Sequence, residues 1–131
     1  MGKPTNSEIR EFTTLIPDMA ALRDWIVSQN CHHVAMESTG ICWMPIYEIL
    51  EAAFAGDITL QVVNARHMKN VPGKKTDMRD SEWISTLLRA GLLNGSFIPE
   101  KRIREFRDLN RYRKSVIRDI TSQKNRVEKF L

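Results

Sequence analysis

Two short apolar runs separated by a helical segment constrain the fold of this 131-residue chain more than any other feature. The segment Ile58–Val63 is rich in β-branched residues and predicts a strand. Val34–Glu37 predicts a second, buried strand that ends at Ser38-Thr39-Gly40. Between them, Pro45–Phe54 places its apolar residues at helical spacing. This order of elements predicts an α/β sandwich with a mostly parallel sheet.

The other segments extend the same alternation. Glu8–Thr14 alternates well enough to predict a strand, and Pro17–Gln29 predicts a helix because proline favours a first helical turn. Asn64–Asn70 predicts a short helix, and Thr76–Ala90 predicts a longer one. The chain then ends in a long charged helix that we expect to span Lys101–Leu131. We therefore divide it into an α/β domain over residues 1–99 and a helical segment over residues 100–131.

Composition bounds the class of protein. An apolar fraction of 42% with 27% charged residues is ordinary for a globular domain. No apolar run approaches the ~20 residues that a membrane-spanning helix needs, so we expect no membrane partner. The two cysteines, Cys31 and Cys42, give no disulfide framework, which fits a reducing cytoplasm.

Positive charge is concentrated at the C-terminal end. Residues 101–131 hold eleven basic and four acidic residues, a net charge of +7, whereas the whole chain carries +4. Such asymmetry suggests contact with a polyanion, although a solvated helix face fits the charge pattern equally well. The predicted nucleic-acid-binding residues are Lys74, Lys75, Arg104, Arg107, Arg111, Arg113, Lys114, Arg118, Lys124 and Arg126.

The same helical segment carries an imperfect apolar stripe. Its members, spaced by threes and fours, are Phe106, Ile117, Ile120, Val127 and Leu131. Two interpretations stay open, because such a stripe is typical both of a coiled-coil seam and of a face packed on the domain.

Three carboxylates form the strongest candidate site. Glu37 closes a predicted strand, and open α/β sheets bind ligands at the carboxyl ends of strands. Asp77 and Asp80 would lie on one helical face if both belong to the helix over Thr76–Ala90. Oxygen ligands of this kind suit Mg²⁺, and clustered acids are a mark of functional sites. The alternative is that Asp77 caps the helix, Asp80 complements its dipole and Glu37 is simply exposed.

A family resemblance is carried by an ordered string of motifs across nearly the whole chain. They are Val34-Ala35-Met36-Glu37-Ser38-Thr39-Gly40, Trp43, Pro45, Val62-Val63-Asn64-Ala65, Pro72-Gly73-Lys74-Lys75-Thr76-Asp77, Asp80, Trp83, Leu87-Leu88, Gly91-Leu92, Ser96-Phe97-Ile98-Pro99, Arg111-Tyr112-Arg113 and Lys124-Asn125-Arg126. Together they resemble the N-terminal domain of DEDD transposases, the bacterial insertion-sequence enzymes whose catalytic domain is similar to the RuvC resolvase and has an RNase H-like fold.

The resemblance implies a function for each acid. Glu37 would be the second acid of the family, Asp77 the third and Asp80 the fourth, acting as catalytic residues and as ligands of Mg²⁺ or Mn²⁺. The implied activity is cleavage and rejoining of DNA strands in transposition. The implied partners are DNA, the structured bridge RNA that guides several members, and a second copy bound through the C-terminal helix.

Two departures from the family pattern bear on activity. The family's first aspartate, on a strand before a β-hairpin, has no convincing counterpart here, because Asp18 follows a proline at a helix start. The family's C-terminal domain, thought to supply a nucleophilic serine, is also absent. We therefore expect a fragment that binds Mg²⁺ weakly and does not cut DNA. The alternative is a non-catalytic nucleic-acid-binding or dimerisation module.

Overall fold

The computed structural model describes residues 6–40, 42–73 and 79–131. The chain divides into two compact units, Met1–Phe97 and Ile98–Leu131. The elements in chain order are α1 (Ile16–Ser28), β1 (His33–Glu37), α2 (Trp43–Phe54), β2 (Thr59–Val63), α3 (Ala65–Lys69), α4 (Asp80–Arg89) and α5 (Lys101–Phe130). The mixed α/β class predicted from the alternation of elements is confirmed.

A two-stranded parallel sheet organises the first unit. Strands β1 and β2 pair in parallel from His33 opposite Thr59 to Glu37 opposite Val63, with α2 as the crossover. The opposite edge of β2 is also occupied, because Gly95 forms an antiparallel bridge with Val63. Within the described residues the sheet is smaller than predicted, but the parallel pairing of these strands is as the sequence indicates.

The main core cluster lies where α3 and α4 cover the end of β2. Val63 and Leu87 are fully buried, and Met68 and Trp83 join them. The indole Nε1–H of Trp83 donates to the main-chain carbonyl oxygen of Met68 at 3.4 Å. Since β-branched and large apolar side chains are buried here, this cluster holds the two helices against the sheet.

The segment over residues 8–14 is not a strand, contrary to prediction. It lies against α1 through side chains: the Phe12 and Trp25 rings are 5.7 Å apart, and the Arg10 guanidinium lies 5.1 Å from the Trp25 ring centroid. In the described part of the chain no backbone pairs with this segment, so aromatic and cation–π contacts replace a sheet ladder.

A carboxylate fixes the entry into α1. The Asp18 side chain accepts hydrogen bonds from the hydroxyl and from the backbone N–H of Thr13. These two bonds favour the ionised carboxylate and hold the pKa of Asp18 below its ordinary value, the hydroxyl bond having the larger effect. Asp18 thereby ties the residues that precede α1 to its first turn.

Replacing Thr13 with alanine should raise the pKa of Asp18 towards its ordinary value. Because the pKa is depressed in the folded chain, the stabilisation is complete above the unfolded pKa of about 3.9 and is lost as the pH falls through the folded value. Carboxyl ¹³C NMR titration of the native chain and of Thr13→Ala measures this shift. Thr14→Ala is the matched control, and an ordinary Asp18 pKa in the native chain would contradict the prediction.

Helix α4 begins at Asp80, four residues later than predicted. Arg79 has extended backbone angles, and its N–H donates to the Glu82 carboxylate at 3.2 Å, which caps the helix. The helix that carries Asp80 therefore does not extend back through Arg79. Asp77 itself, with Lys74 and Lys75, lies outside the described residues.

Helix α4 ends at Arg89, one residue before the predicted end at Ala90. Gly91 adopts a φ of +69°, its N–H donates to the Leu88 carbonyl, and the next N–H, of Leu92, donates to the Leu87 carbonyl. This pair of bonds is a Schellman motif, and the left-handed position favours glycine. The turn directs the chain back to the edge of β2.

Candidate active site

Two of the predicted acids line one small cleft. Glu37, the last residue of β1, and Asp80, the first residue of α4, border a cavity of about 70 Å³. Lys69 at the end of α3 lies at the same cleft, whose apolar lining is Ala65, Met68, Trp83 and Ile84. The carboxyl end of a strand, a helix start and a lysine thus meet although they are distant in sequence.

Glu37 is held in place by its own loop. It is partly buried, and its Oε1 accepts a hydrogen bond from the Thr39 hydroxyl at 2.6 Å. The strand carries the carboxylate to the cleft because Glu37 lies opposite Val63, the buried end of β2. The Thr39 hydroxyl thereby orients the Glu37 carboxylate.

Asp80 reaches the cleft from an exposed helix start. A carboxylate in the first turn of α4 is favoured by the helix dipole, so this feature alone would explain an acid here. The helix dipole does not account for the position of Asp80 at the same cleft that Glu37 borders. A cation in this cleft would be attracted by both carboxylates.

Lys69 is the cleft residue that sequence reasoning did not assign to this site. Its signal in the sequence is slight, a basic residue at the end of a five-residue helix. Beside two carboxylates, its ammonium group can offset negative charge or hold a phosphate oxygen. Both effects would help a nucleic-acid backbone to approach the acids.

The donor set matches a hard divalent cation in part. Among residues 6–40, 42–73 and 79–131, no group of three His, Cys, Asp or Glu side chains is positioned to hold a metal ion. Mg²⁺, however, is often bound by one or two carboxylates and keeps several waters, which phosphate oxygens then replace. Glu37 and Asp80 supply that minimum, whereas the third predicted ligand, Asp77, lies outside the described residues.

A cationic stripe runs along α5. At 3.6 residues per turn, Arg107, Arg111, Lys114, Arg118 and Lys129 fall on one side of the helix, and all are exposed. The apolar stripe falls on the opposite side, where Arg113 and Lys124 interrupt it. Phe106, Ile117, Ile120, Val127 and Leu131 of that stripe are likewise exposed.

Arg104 does not belong to the exposed basic set. Its side chain is only 8% exposed, and Nη1 donates to the Pro99 carbonyl oxygen at 2.7 Å. The guanidinium thereby satisfies a carbonyl next to the start of α5. Arg104 thus differs from the exposed basic residues of α5, and its predicted contact with nucleic acid stays a prediction.

The described helices also bear on membrane association. None of them, over the ranges that the structure covers, combines the length with the apolar character required to cross a bilayer.

These features define a mixed α/β protein with an acidic cleft at the carboxyl end of a parallel strand and a basic helix after it. The model of the IS110-type DEDD transposase family, described as transposase, matches residues 2–131. The chain therefore belongs to the IS110-type DEDD transposases. No curated protein and no solved structure matches it.

Family membership confirms the resemblance drawn from the motifs. It identifies the process as DNA transposition and DNA as a partner, and DEDD transposases are metal-dependent enzymes. The functions of individual residues, the metal ion and the further partners do not follow from the family alone.

Proposed function

We propose that this chain carries the acidic centre of an RNase H-like transposase domain, in which Glu37, Asp77 and Asp80 hold Mg²⁺ or Mn²⁺ for cleavage and rejoining of DNA strands. The observation that carries the proposal is the meeting of Glu37 and Asp80 at one cleft. Residues 1–99 form the catalytic α/β part, and residues 100–131 begin a coiled-coil segment.

The fold supports an RNase H-like assignment in two respects. The acid Glu37 ends a parallel strand, which is where open α/β sheets place ligands. The edge of β1 that faces away from β2 has no partner in the described part of the chain. Because an unpaired strand edge presents a row of N–H and C=O groups, this edge is suited to receive a further strand.

Each side chain at the cleft has a separate task. Thr39 orients the Glu37 carboxylate, the start of α4 positions Asp80, and Lys69 offers a cation to a phosphate oxygen. A divalent ion bound by the acids would polarise the phosphodiester and activate the attacking oxygen. The chain's own residues thus bind the backbone, orient it and offset its charge.

Loss of either described acid should weaken Mn²⁺ binding at least about tenfold, because one of a few charged ligands is lost. The test is a Mn²⁺ titration of the native chain, Glu37→Gln and Asp80→Asn, with free Mn²⁺ measured by electron paramagnetic resonance. Asp77→Asn tests the third ligand by the same measurement.

The matched control is Glu48→Gln, which removes one exposed carboxylate of α2 away from the cleft. Equal Mn²⁺ affinity in Glu37→Gln, Asp80→Asn and Glu48→Gln would refute the metal site. If only Asp77→Asn behaved like the control, Asp77 alone would be removed from the ligand set.

We further propose that these 131 residues alone bind Mg²⁺ weakly and do not cut DNA, because two-ion catalysis needs more ligands than the two acids described at this cleft. Incubation with supercoiled plasmid in Mg²⁺ or Mn²⁺ is the assay. Nicking by the native chain that Asp80→Asn abolishes would overturn this part of the proposal while leaving the metal site intact.

A second candidate function is non-catalytic binding through α5. The observation that favours it is the pair of opposite stripes, one cationic and one apolar, on a single exposed helix. The cationic stripe would contact the phosphates of DNA or of a structured guide RNA, and the apolar stripe would pair with a second copy. Sedimentation with and without residues 101–131 distinguishes a helix-mediated dimer from a monomer.

A further inference from the structure

A second cavity lies on the other side of α3 from the acidic cleft. Its volume is about 190 Å³, and its apolar part is formed by Val63, Met68, Val71 and Leu93. Leu92 completes the apolar wall. A volume below the ~300 Å³ of drug-sized sites suits a single planar ring system.

Two backbone features give this cavity, which we name the base pocket, its walls. On one side, the end of α3 is closed by bonds from the Asn70 N–H to the His67 carbonyl and from the Val71 N–H to the Met68 carbonyl. On the other side, the Schellman motif after α4 directs Leu92 and the following residues back towards β2. The pocket is therefore set by main-chain geometry on both sides.

The rim of the base pocket is formed by polar side chains of the amide and imidazole type. His67, Asn70 and Asn94 stand around the apolar part, and among the lining residues that the structure describes none is Lys, Arg, Asp or Glu. Amide and imidazole groups both donate and accept hydrogen bonds, as the edges of nucleobases require. An apolar slot with amides at its mouth therefore fits the flat face and the polar edge of a base.

The base pocket adjoins the acidic cleft. Met68, which is buried, lines both cavities and separates them. The basic residues of α3 flank this wall, with Arg66 exposed and Lys69 at the acidic cleft. A strand whose phosphate reached the acids would therefore bring a neighbouring base to the pocket.

We propose that the base pocket captures one unstacked nucleobase of the DNA strand whose backbone lies at the acidic cleft. This inference rests on the proposed function, because it assumes that a strand approaches that cleft. Enzymes that do chemistry on a base extrude it into a fitted pocket, where contacts to its edge and faces offset the cost of unstacking, and the same contacts are available to a base held here. Captured in this way, the base fixes the position of the phosphate beside Glu37 and Asp80.

The test uses the full chain and two single-stranded deoxyoligonucleotides that differ at one central position, with either 2-aminopurine or an abasic site there. All measurements are made in EDTA, so that metal binding has no part in them. We expect the abasic oligonucleotide to bind about tenfold more weakly, and 2-aminopurine emission to rise as the base leaves the stack.

Asn70→Ala and Asn94→Ala remove the amides at the rim of the base pocket. Each should weaken binding of the 2-aminopurine oligonucleotide about fivefold and leave the abasic one unchanged. Both side chains are exposed, so the substitutions spare the core, and Asn110→Ala on α5 is the matched control. In ¹⁵N NMR, the Asn70 and Asn94 side-chain amides should shift with the 2-aminopurine oligonucleotide only.

Equal affinity of the native chain for the two oligonucleotides would overturn the proposal, as would equal weakening of both by the asparagine substitutions. Base capture that persists in Asp80→Asn, together with intact Mn²⁺ binding in that variant, would refute the metal site alone. Mn²⁺ binding by the native chain without base discrimination would refute the base pocket alone.

Discussion

The affinity of the chain for duplex DNA should fall about 500-fold between 50 and 200 mM salt. The physical reason is counterion release: each phosphate neutralised by a cation contributes about 0.9 to the slope of log affinity against log salt concentration. The cationic stripe of α5 supplies five such groups, Arg107, Arg111, Lys114, Arg118 and Lys129. Fluorescence anisotropy of a labelled duplex at four salt concentrations measures the slope.

A matched pair of double variants tests whether the stripe, and not the net charge, causes the effect. Arg111→Gln with Lys114→Gln removes two charges from the cationic stripe, and Arg113→Gln with Lys124→Gln removes two from the opposite side. The Arg111→Gln, Lys114→Gln variant should have a slope of log affinity against log salt that is smaller by about 1.8. Its loss of DNA affinity between 50 and 200 mM salt should then be about 40-fold in place of about 500-fold. The second should leave the slope unchanged.

Two results would contradict this account of α5. Equal slopes in both double variants would mean that the helix attracts DNA through its overall charge without a defined contact face. Salt-independent affinity in the native chain would mean that α5 is a solvated helix. The second result would also remove the support for a helix that binds guide RNA.

The elements that depend on local chemistry could be predicted from the sequence. Strand β2 was predictable because its β-branched run lies between turn residues. The C-terminal end of α4 was predictable because Gly91 can take a left-handed conformation. The bounds of α1 and α2 differ from prediction by one or two residues, as expected where helix ends fray.

The predicted strand over residues 8–14 failed because the contacts of this segment depend on a partner outside it. Residues 8–14 alternate like a strand, but Trp25 attracts Phe12 and Arg10 in place of a strand partner. A periodic pattern cannot report either contact, because each depends on a single tertiary neighbour.

The candidate site was predictable to a similar extent. Glu37 could be placed at the cleft because a strand end is a known position for ligands. Asp80 was proposed from its helical spacing to Asp77, whereas the described helix begins only at Asp80. The base pocket and Lys69 could not be foreseen, since α3 is a single short helix whose two sides face different cavities. Such placement depends on how α3 packs on β2 and α4.

Leu87→Ala should lower the free energy of unfolding of the first unit by about 3 kcal/mol. Leu87 is fully buried against Val63, Met68 and Trp83, so truncation leaves a cavity at the contact that joins α4 to the sheet. Small domains are stable by only 5–15 kcal/mol, roughly, which makes this a large fraction. Urea unfolding should be followed by tryptophan fluorescence, because all three tryptophans lie in residues 1–97 while α5 would dominate a helical signal.

The matched control is Leu15→Ala, the same truncation at a side chain that is 67% exposed. It should change the free energy of unfolding by less than about 0.5 kcal/mol. Leu87→Val is the milder variant if the alanine form does not fold, with an expected loss of about 1 kcal/mol. Because α4 carries Asp80, we also expect Mn²⁺ affinity to weaken in Leu87→Val under conditions where the unit begins to unfold, and not in Leu15→Ala. Equal unfolding midpoints for the Leu15 and Leu87 variants would show that α4 does not depend on this core, and the cleft between β1 and α4 would then need a different structural basis.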